Sequence, residues 1–258
     1  MSFITDQIAQ HRSNVNKNVN KHTNAHASAH AHAHTKDGYE PFKGLKVLDV
    51  GCGGGLLSES MARLGATVTA IDPSIEVARA AQLHSQNNVK TEGIDYRGGM
   101  SVEELVEMEG ERGSYDVVCV LEVIEHATDA RSLMEAASLL LKKKEQKSTQ
   151  SDSDGDSNDD PGGMMFVSTI NRTAKSYGIA ILGGEYISGK LPIGTHSWNQ
   201  FLSPQEVSGL LGEFSLKEVD KKGMLLKFPL YDMRWYFDDN DLDVNWIGAY
   251  KHAHIHKI

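Results

Sequence analysis

Lys46-Val47-Leu48-Asp49-Val50-Gly51-Cys52-Gly53-Gly54-Gly55 decides how this chain is read. A five-residue run with three apolar residues, one lysine and one acid has the look of a buried strand, and it breaks into a turn made almost wholly of glycine. Leu56 to Leu64 then takes up a helical pattern. Glycines between strand and helix let the backbone turn tightly and approach a ligand with no Cβ in the way. Such a turn is weakly specific. NAD, FAD, nucleotides and S-adenosylmethionine all use one, and a turn with no ligand is the plain alternative.

Outward from this unit the alternation continues. Thr67–Asp72 reads as a strand and Ile75–Gln86 as a helix, then Tyr115–Val120 and Ser132–Lys143 repeat the pair. Met164–Thr169 is a further strand, and Phe201–Leu211 a helix opened by Ser203-Pro204 as cap and first turn. Phe214–Val219 and Met224–Phe228 read as late strands. Strands alternating with helices predict an α/β fold: a mostly parallel sheet, helices on both faces and an antiparallel edge.

Composition bounds the function. The 258 residues are 40% hydrophobic and 24% charged, ordinary for one large globular domain. No apolar run approaches the roughly 20 residues of a bilayer-spanning helix. A net charge of −9 argues against a nucleic-acid partner, which needs a basic face. Two cysteines, Cys52 and Cys119, make neither a disulfide framework nor a zinc ribbon.

Two stretches depart from the pattern. Residues 1–36 are rich in Asn, His, Ala and Ser, and are expected to be a disordered tract ahead of one domain spanning 37–258. The alternating His26, His30, His32 and His34 leave binding of a soft divalent metal as a second reading, and Arg12, Lys17 and Lys21 fit a mitochondrial targeting peptide only weakly. Lys144–Asp160 has no large apolar residue and reads as a solvated insertion. Its alternating Asp152, Asp154 and Asp156 lack the closing Glu of a calcium loop.

Three elements carry the chemistry. The glycine turn, with Gly51, Gly53 and Gly55, is the first. Asp72 ends the next strand, where a carboxylate meets a ribose and accepts from both hydroxyls. The glycine spacing differs from an NAD fingerprint, and Asp49 ahead of the first glycine suits a cofactor with a cationic amino group, so S-adenosylmethionine is preferred to NAD. The third element is Leu121-Glu122-Val123-Ile124-Glu125-His126. If it opens a helix, Glu122, Glu125 and His126 fall at i, i+3 and i+4 on one face, a set that suits a divalent metal or a general base beside one. The other reading is that acids simply favour a helix start.

At these residues the chain resembles the ubiquinone-biosynthesis O-methyltransferase family. The resemblance runs from about Gly44 to Tyr250 through the glycine turn, Glu122-Val-Ile-Glu-His126, Ser168-Thr-Ile-Asn-Arg172, Gly184-Glu-Tyr-Ile187, Pro192-Ile-Gly-Thr-His196 and Asp243-Val-Asn-Trp246. It implies a class I (Rossmann-like) methyltransferase that moves a methyl group from S-adenosylmethionine to a catechol hydroxyl on a polyprenylated ring. Gly51, Asp72 and Leu121 match family cofactor positions, and Glu122, Glu125 and His126 match its magnesium ligands, where Zn²⁺ or Mn²⁺ are alternatives. The resemblance also implies a peripheral membrane surface at the matrix side of the mitochondrial inner membrane, with a cytoplasmic location as the alternative, and other quinone-biosynthesis proteins as partners. The family carries an Asn-Pro-x-Arg piece before the first strand, whose arginine meets the cofactor carboxylate. No such piece precedes Gly44, so weaker cofactor binding is expected.

Two other functions stand beside this one: a methyltransferase-like assembly subunit without catalysis, motivated by that departure, and an NAD-dependent oxidoreductase. Tyr177–Ile193, an apolar cluster flanked by Arg172, Lys175 and Lys190, reads equally as an interfacial membrane contact and as a buried helix under a substrate lid.

Overall fold

Short strands rich in apolar residues are stable where both faces are covered, and the central strands of this chain are buried in that way. In a computed structural model, β1 (Lys46–Val50), β2 (Thr67–Asp72), β3 (Asp95–Gly98), β4 (Val117–Leu121) and β5 (Met164–Ile170) form a parallel array. β6 (Leu216–Leu226), β7 (Trp235–Asp238) and β8 (Asn245–His252) extend it antiparallel, β8 lying against β5. The eight strands run β3-β2-β1-β4-β5-β8-β6-β7. The order reverses between β1 and β4, and the carboxyl ends of those two strands therefore bound a crevice, the usual ligand position in such sheets. The structure describes residues 1–19, 39–143, 162–179, 197–226 and 234–253.

Helices α1 (Ser2–Val19) and α2 (Leu56–Arg63) cover one face, packing Phe3, Ile4, Ile8 and Met61 on Val47, Val68, Cys119, Phe166 and Ile247. α3 (Ile75–Ser85) lies along β2 and β3. α4 (Val102–Val106), α5 (Ala130–Leu140) and, after the single turn α6 (Ala174–Ser176), α7 (Pro204–Glu213) belong to the other face, over Leu48, Val118, Val120, Met165, Trp246 and Tyr250. Ser203 caps α7 reciprocally with Glu206, and Pro204 takes the first helical position, as the Ser-Pro pair predicts.

Three expectations are corrected. The first nineteen residues are not structureless: Ser2–Val19 is helical, with Phe3, Ile4 and Ile8 all buried. Phe3 meets Phe166 edge-on at 6.2 Å, Gln7 donates to Asp220 at 2.7 Å and Arg12 to the Pro41 carbonyl at 3.0 Å. Three apolar side chains cannot hold an isolated helix against its ordering entropy, but the bare sheet face supplies the partner they lack. The two late strands are one, β6, interrupted by an irregularity between Glu218 and Asp220. The third correction concerns residues 122–126 and belongs to the site. The remainder of the His/Asn-rich tract through residue 36, the acidic insertion 144–160 and residues 180–193 of the apolar stretch lie outside the described residues, as do the 184–187 and 192–196 pieces of the resemblance.

Candidate active site

The crevice wall after β1 is the glycine loop. Gly51, Gly53 and Gly55 have φ of 68°, 51° and 79°, in the left-handed region that L side chains rarely adopt. At Gly51 a Cβ would also lie 2.6 Å from Val123 Cγ2, so loop and opposite wall touch there and only glycine fits. Gly55 begins α2 with no side-chain cap, which leaves the helix's positive end open for an anion.

The two aspartates of the loop occupy different depths. Asp49 is only 3% exposed and accepts from Ser58 Oγ at 2.5 Å. Burial, only partly relieved by Ser58, pushes its carboxyl up to about 6. Asp72 stands at the end of β2, its Oδ2 accepting the Gly53 N–H at 2.9 Å and its Oδ1 the Ser74 N–H at 2.8 Å. A carboxylate has about four acceptor positions, so lone pairs remain for ribose hydroxyls.

The facing wall follows β4. Leu121, half-buried, pairs with Ser168 in the sheet, and Glu122 then takes a φ of 55°. A glutamate held left-handed is strained by about 1 kcal/mol, a cost that tends to be kept at functional positions. The expected helix is instead a 3₁₀ turn, Ile124–His126. Glu122 stands ahead of that turn with a left-handed backbone, so no common helix face relates it to Glu125 and His126. Glu122 and Glu125 still lie close enough to raise each other's charge cost, and among the described residues no group of three or more His, Cys, Asp or Glu side chains that could hold a metal forms. His126 is exposed on the same turn.

The carboxylate pair is tightly held. Ser168 Oγ donates to Glu122 Oε1 at 2.6 Å, Asn245 Nδ2 to Glu122 Oε2 at 3.2 Å, and Thr169 Oγ1 to Glu125 Oε2 at 2.9 Å. Crowding by protein and the neighbouring Glu125 push Glu122 up, even though the residue still reaches solvent through the crevice; desolvation pushes Glu125 up as well. Among the described residues no Lys or Arg forms an ion pair with Asp49, Asp72, Glu122 or Glu125.

Ser58, Ser168, Thr169 and Asn245 carry no role in the sequence reading. Ser168, Thr169 and Asn245 fall in the resemblance pieces, but no spacing rule ties a residue on β5 or β8 to Glu122 or Glu125.

Comparisons with known proteins give the family and the fold. The methyltransferase-domain family matches residues 21–147. The chain is 42% identical over 209 residues to the ubiquinone biosynthesis O-methyltransferase of Dinoroseobacter shibae, spanning 81% of this chain and 74% of that one. The Ruegeria pomeroyi protein of the same description gives the same identity and coverage. Among solved structures, magnesium protoporphyrin IX methyltransferase from Synechocystis PCC 6803 with bound SAH superimposes with a TM-score of 0.54 at 18% identity, over 96% of this chain and 84% of that one. A SAM-dependent methyltransferase from Thermotoga maritima gives 0.55 at 14%, over 81% and 82%. At these identities the structures speak for the fold alone.

Proposed function

This chain belongs to the ubiquinone biosynthesis O-methyltransferase family and is an S-adenosylmethionine-dependent O-methyltransferase of that pathway, and from that premise we propose that it methylates a catechol hydroxyl on a polyprenylated aromatic ring. The observation that carries the reading is the Glu122–Glu125 pair, two carboxylates facing the glycine loop across the crevice with no ion-pair partner among the described residues. The oxidoreductase alternative is displaced by the family membership.

In this reading the methionine end of the cofactor lies on Gly51–Gly55 and the ribose on Asp72, with Leu121 beside the adenosine. The open end of α2 faces the cofactor carboxylate, and buried Asp49 favours the amino and sulfonium charges. The catechol oxygen attacks the sulfonium methyl carbon in line: the C–O bond forms, the C–S bond breaks and S-adenosylhomocysteine departs. The phenol proton passes to the Glu122–Glu125 pair and from Glu122 to solvent. Holding both reactants in one crevice converts a bimolecular displacement into a positioned one.

Glu122 and Glu125 are the residues that would hold Mg²⁺, which two hard carboxylates suit, with Zn²⁺ or Mn²⁺ as alternatives; His126, exposed on the adjoining turn, completes no three-ligand group with them. Held there, such a cation would lower the phenol pKa. The test is methyl transfer to a short-chain catechol, with and without EDTA and with metal restored. Full turnover in EDTA rejects the metal, and no turnover under any condition leaves the family's assembly role instead. A polyprenyl tail lives in the bilayer, so peripheral attachment at the matrix side of the mitochondrial inner membrane belongs to the same proposal. Liposome flotation of wild type against Ile181→Glu/Leu182→Glu tests the contact, and equal binding by a folded variant rejects it.

A further inference from the structure

The Glu122 carboxylate is gripped from two strands other than its own. Ser168 on β5 holds Oε1 at 2.6 Å and also accepts the Glu122 N–H through its carbonyl at 3.0 Å. Asn245, the first residue of β8, holds Oε2 at 3.2 Å. A carboxylate only accepts, so the NH₂ end of the amide faces it.

Asn245 is itself mounted with care. Its strand begins beside Ile170, and the segment leading into it is tied to the end of β5 by four contacts. The Asn171 N–H donates to the Val244 carbonyl at 2.7 Å and its amide to the Leu242 carbonyl at 2.9 Å. Thr173 Oγ1 donates to the Asp243 carbonyl at 2.6 Å, and Lys175 Nζ to Asp241 at 2.6 Å. An antiparallel strand running back from the crevice thereby delivers a neutral donor to one carboxylate oxygen.

We infer that Asn245 is a positioning residue: together with Ser168 it fixes the orientation in which Glu122 presents its remaining lone pairs to a divalent cation at the methyl-acceptor site. The inference rests on the cation reading above. Ser168 and Asn245 hold one Glu122 oxygen each, so the carboxylate is fixed at both oxygens from strands other than its own. Partners of this kind, one step removed from a metal, typically govern 10–100-fold in metal affinity.

The experiment is titration of the full-length protein, saturated with S-adenosylhomocysteine, with Mn²⁺, free ion being read by electron paramagnetic resonance. Asn245→Ala should raise the Mn²⁺ Kd about 10–100-fold while S-adenosylhomocysteine affinity, set on the opposite wall, is unchanged. Asn245→Asp separates two roles. A donor cannot be replaced by a second carboxylate, so affinity should fall, whereas a direct ligand would bind as tightly or more so. Ser168→Ala, a smaller change, should also weaken Mn²⁺ binding and serves if the Asn245 variants do not fold. Wild type that takes up no Mn²⁺ defeats the cation reading and this inference with it. Wild type that binds while folded Asn245→Ala, or in its place Ser168→Ala, binds equally well overturns the positioning role alone, as does undiminished binding by Asn245→Asp.

Discussion

The two edges of the sheet treat carboxylates in opposite ways. Near the amino ends of β1 and β4, Glu111 accepts from Arg97 at 2.8 Å, Lys46 at 3.1 Å and the Tyr115 hydroxyl at 2.8 Å, and Asp116 accepts from Lys142 at 2.6 Å. Burial would raise Glu111, but those donors outweigh it and hold the carboxyl at about 2. At the carboxyl edge Asp49, Glu122 and Glu125 are all raised, with hydroxyls, an amide and backbone N–H groups as their described donors. Among the described residues the amino-edge carboxylates have cationic partners and those at the carboxyl edge do not, and carboxylates raised by burial beside a crevice are the pattern of a candidate functional site.

The comparison breaks first at Glu122 and Glu125. The double variant Glu122→Gln/Glu125→Gln should lower turnover on a short-chain catechol by about 10²–10⁴-fold, the range for a lost acid–base pair, with S-adenosylhomocysteine affinity by calorimetry unchanged. Retained turnover would place the chemistry elsewhere. The amino edge should answer in the other currency: Glu111→Ala strands the buried Tyr115 hydroxyl and removes one of Arg97's two carboxylate partners, and should cost about 3 kcal/mol in urea unfolding, leaving folded-state kcat near wild type. Asp72→Ala, on the cofactor wall, should weaken S-adenosylhomocysteine by about 2 kcal/mol, the scale of one charge-assisted hydrogen bond. Unaltered affinity would remove Asp72 from the cofactor site.

Acid sharpens the contrast. Folded Asp49 titrates near 6 against an ordinary 3.8, so between those values the folded state binds the extra proton, and stability falls as pH rises through that window. Glu111 runs the other way: unfolded chains take up its proton near 4.5 and the folded state only near 2, so its contribution is intact above 4.5 and lost below. Urea unfolding of the cofactor-free protein should therefore show Asp49→Asn flattening the slope between pH 4 and 6, and stabilising the protein at pH 8 by on the order of 2 kcal/mol. An unchanged slope would mean that Asp49 is solvated after all.

What the chain declares locally was legible. A strand breaking into glycines needs no distant partner to be recognised, because left-handed φ at Gly51, Gly53 and Gly55 is a property of the residues themselves. The strand–helix alternation likewise set the α/β class and the parallel sheet, and Asp72 could be placed by its distance from the turn. Three features waited for the tertiary structure. Phe3, Ile4 and Ile8 look too few to fold until a bare sheet face meets them. Glu122, Glu125 and His126 would share a face in an α-helix, but the backbone is left-handed at Glu122 and only Ile124–His126 coils, as 3₁₀, so that common face is lost. Ser168 and Asn245 lie 46 and 123 residues beyond the glutamate they orient. Periodicity and spacing report on neighbours within a turn or two of backbone, whereas the hold on that carboxylate depends on which strands end side by side, a matter settled only by packing the whole sheet.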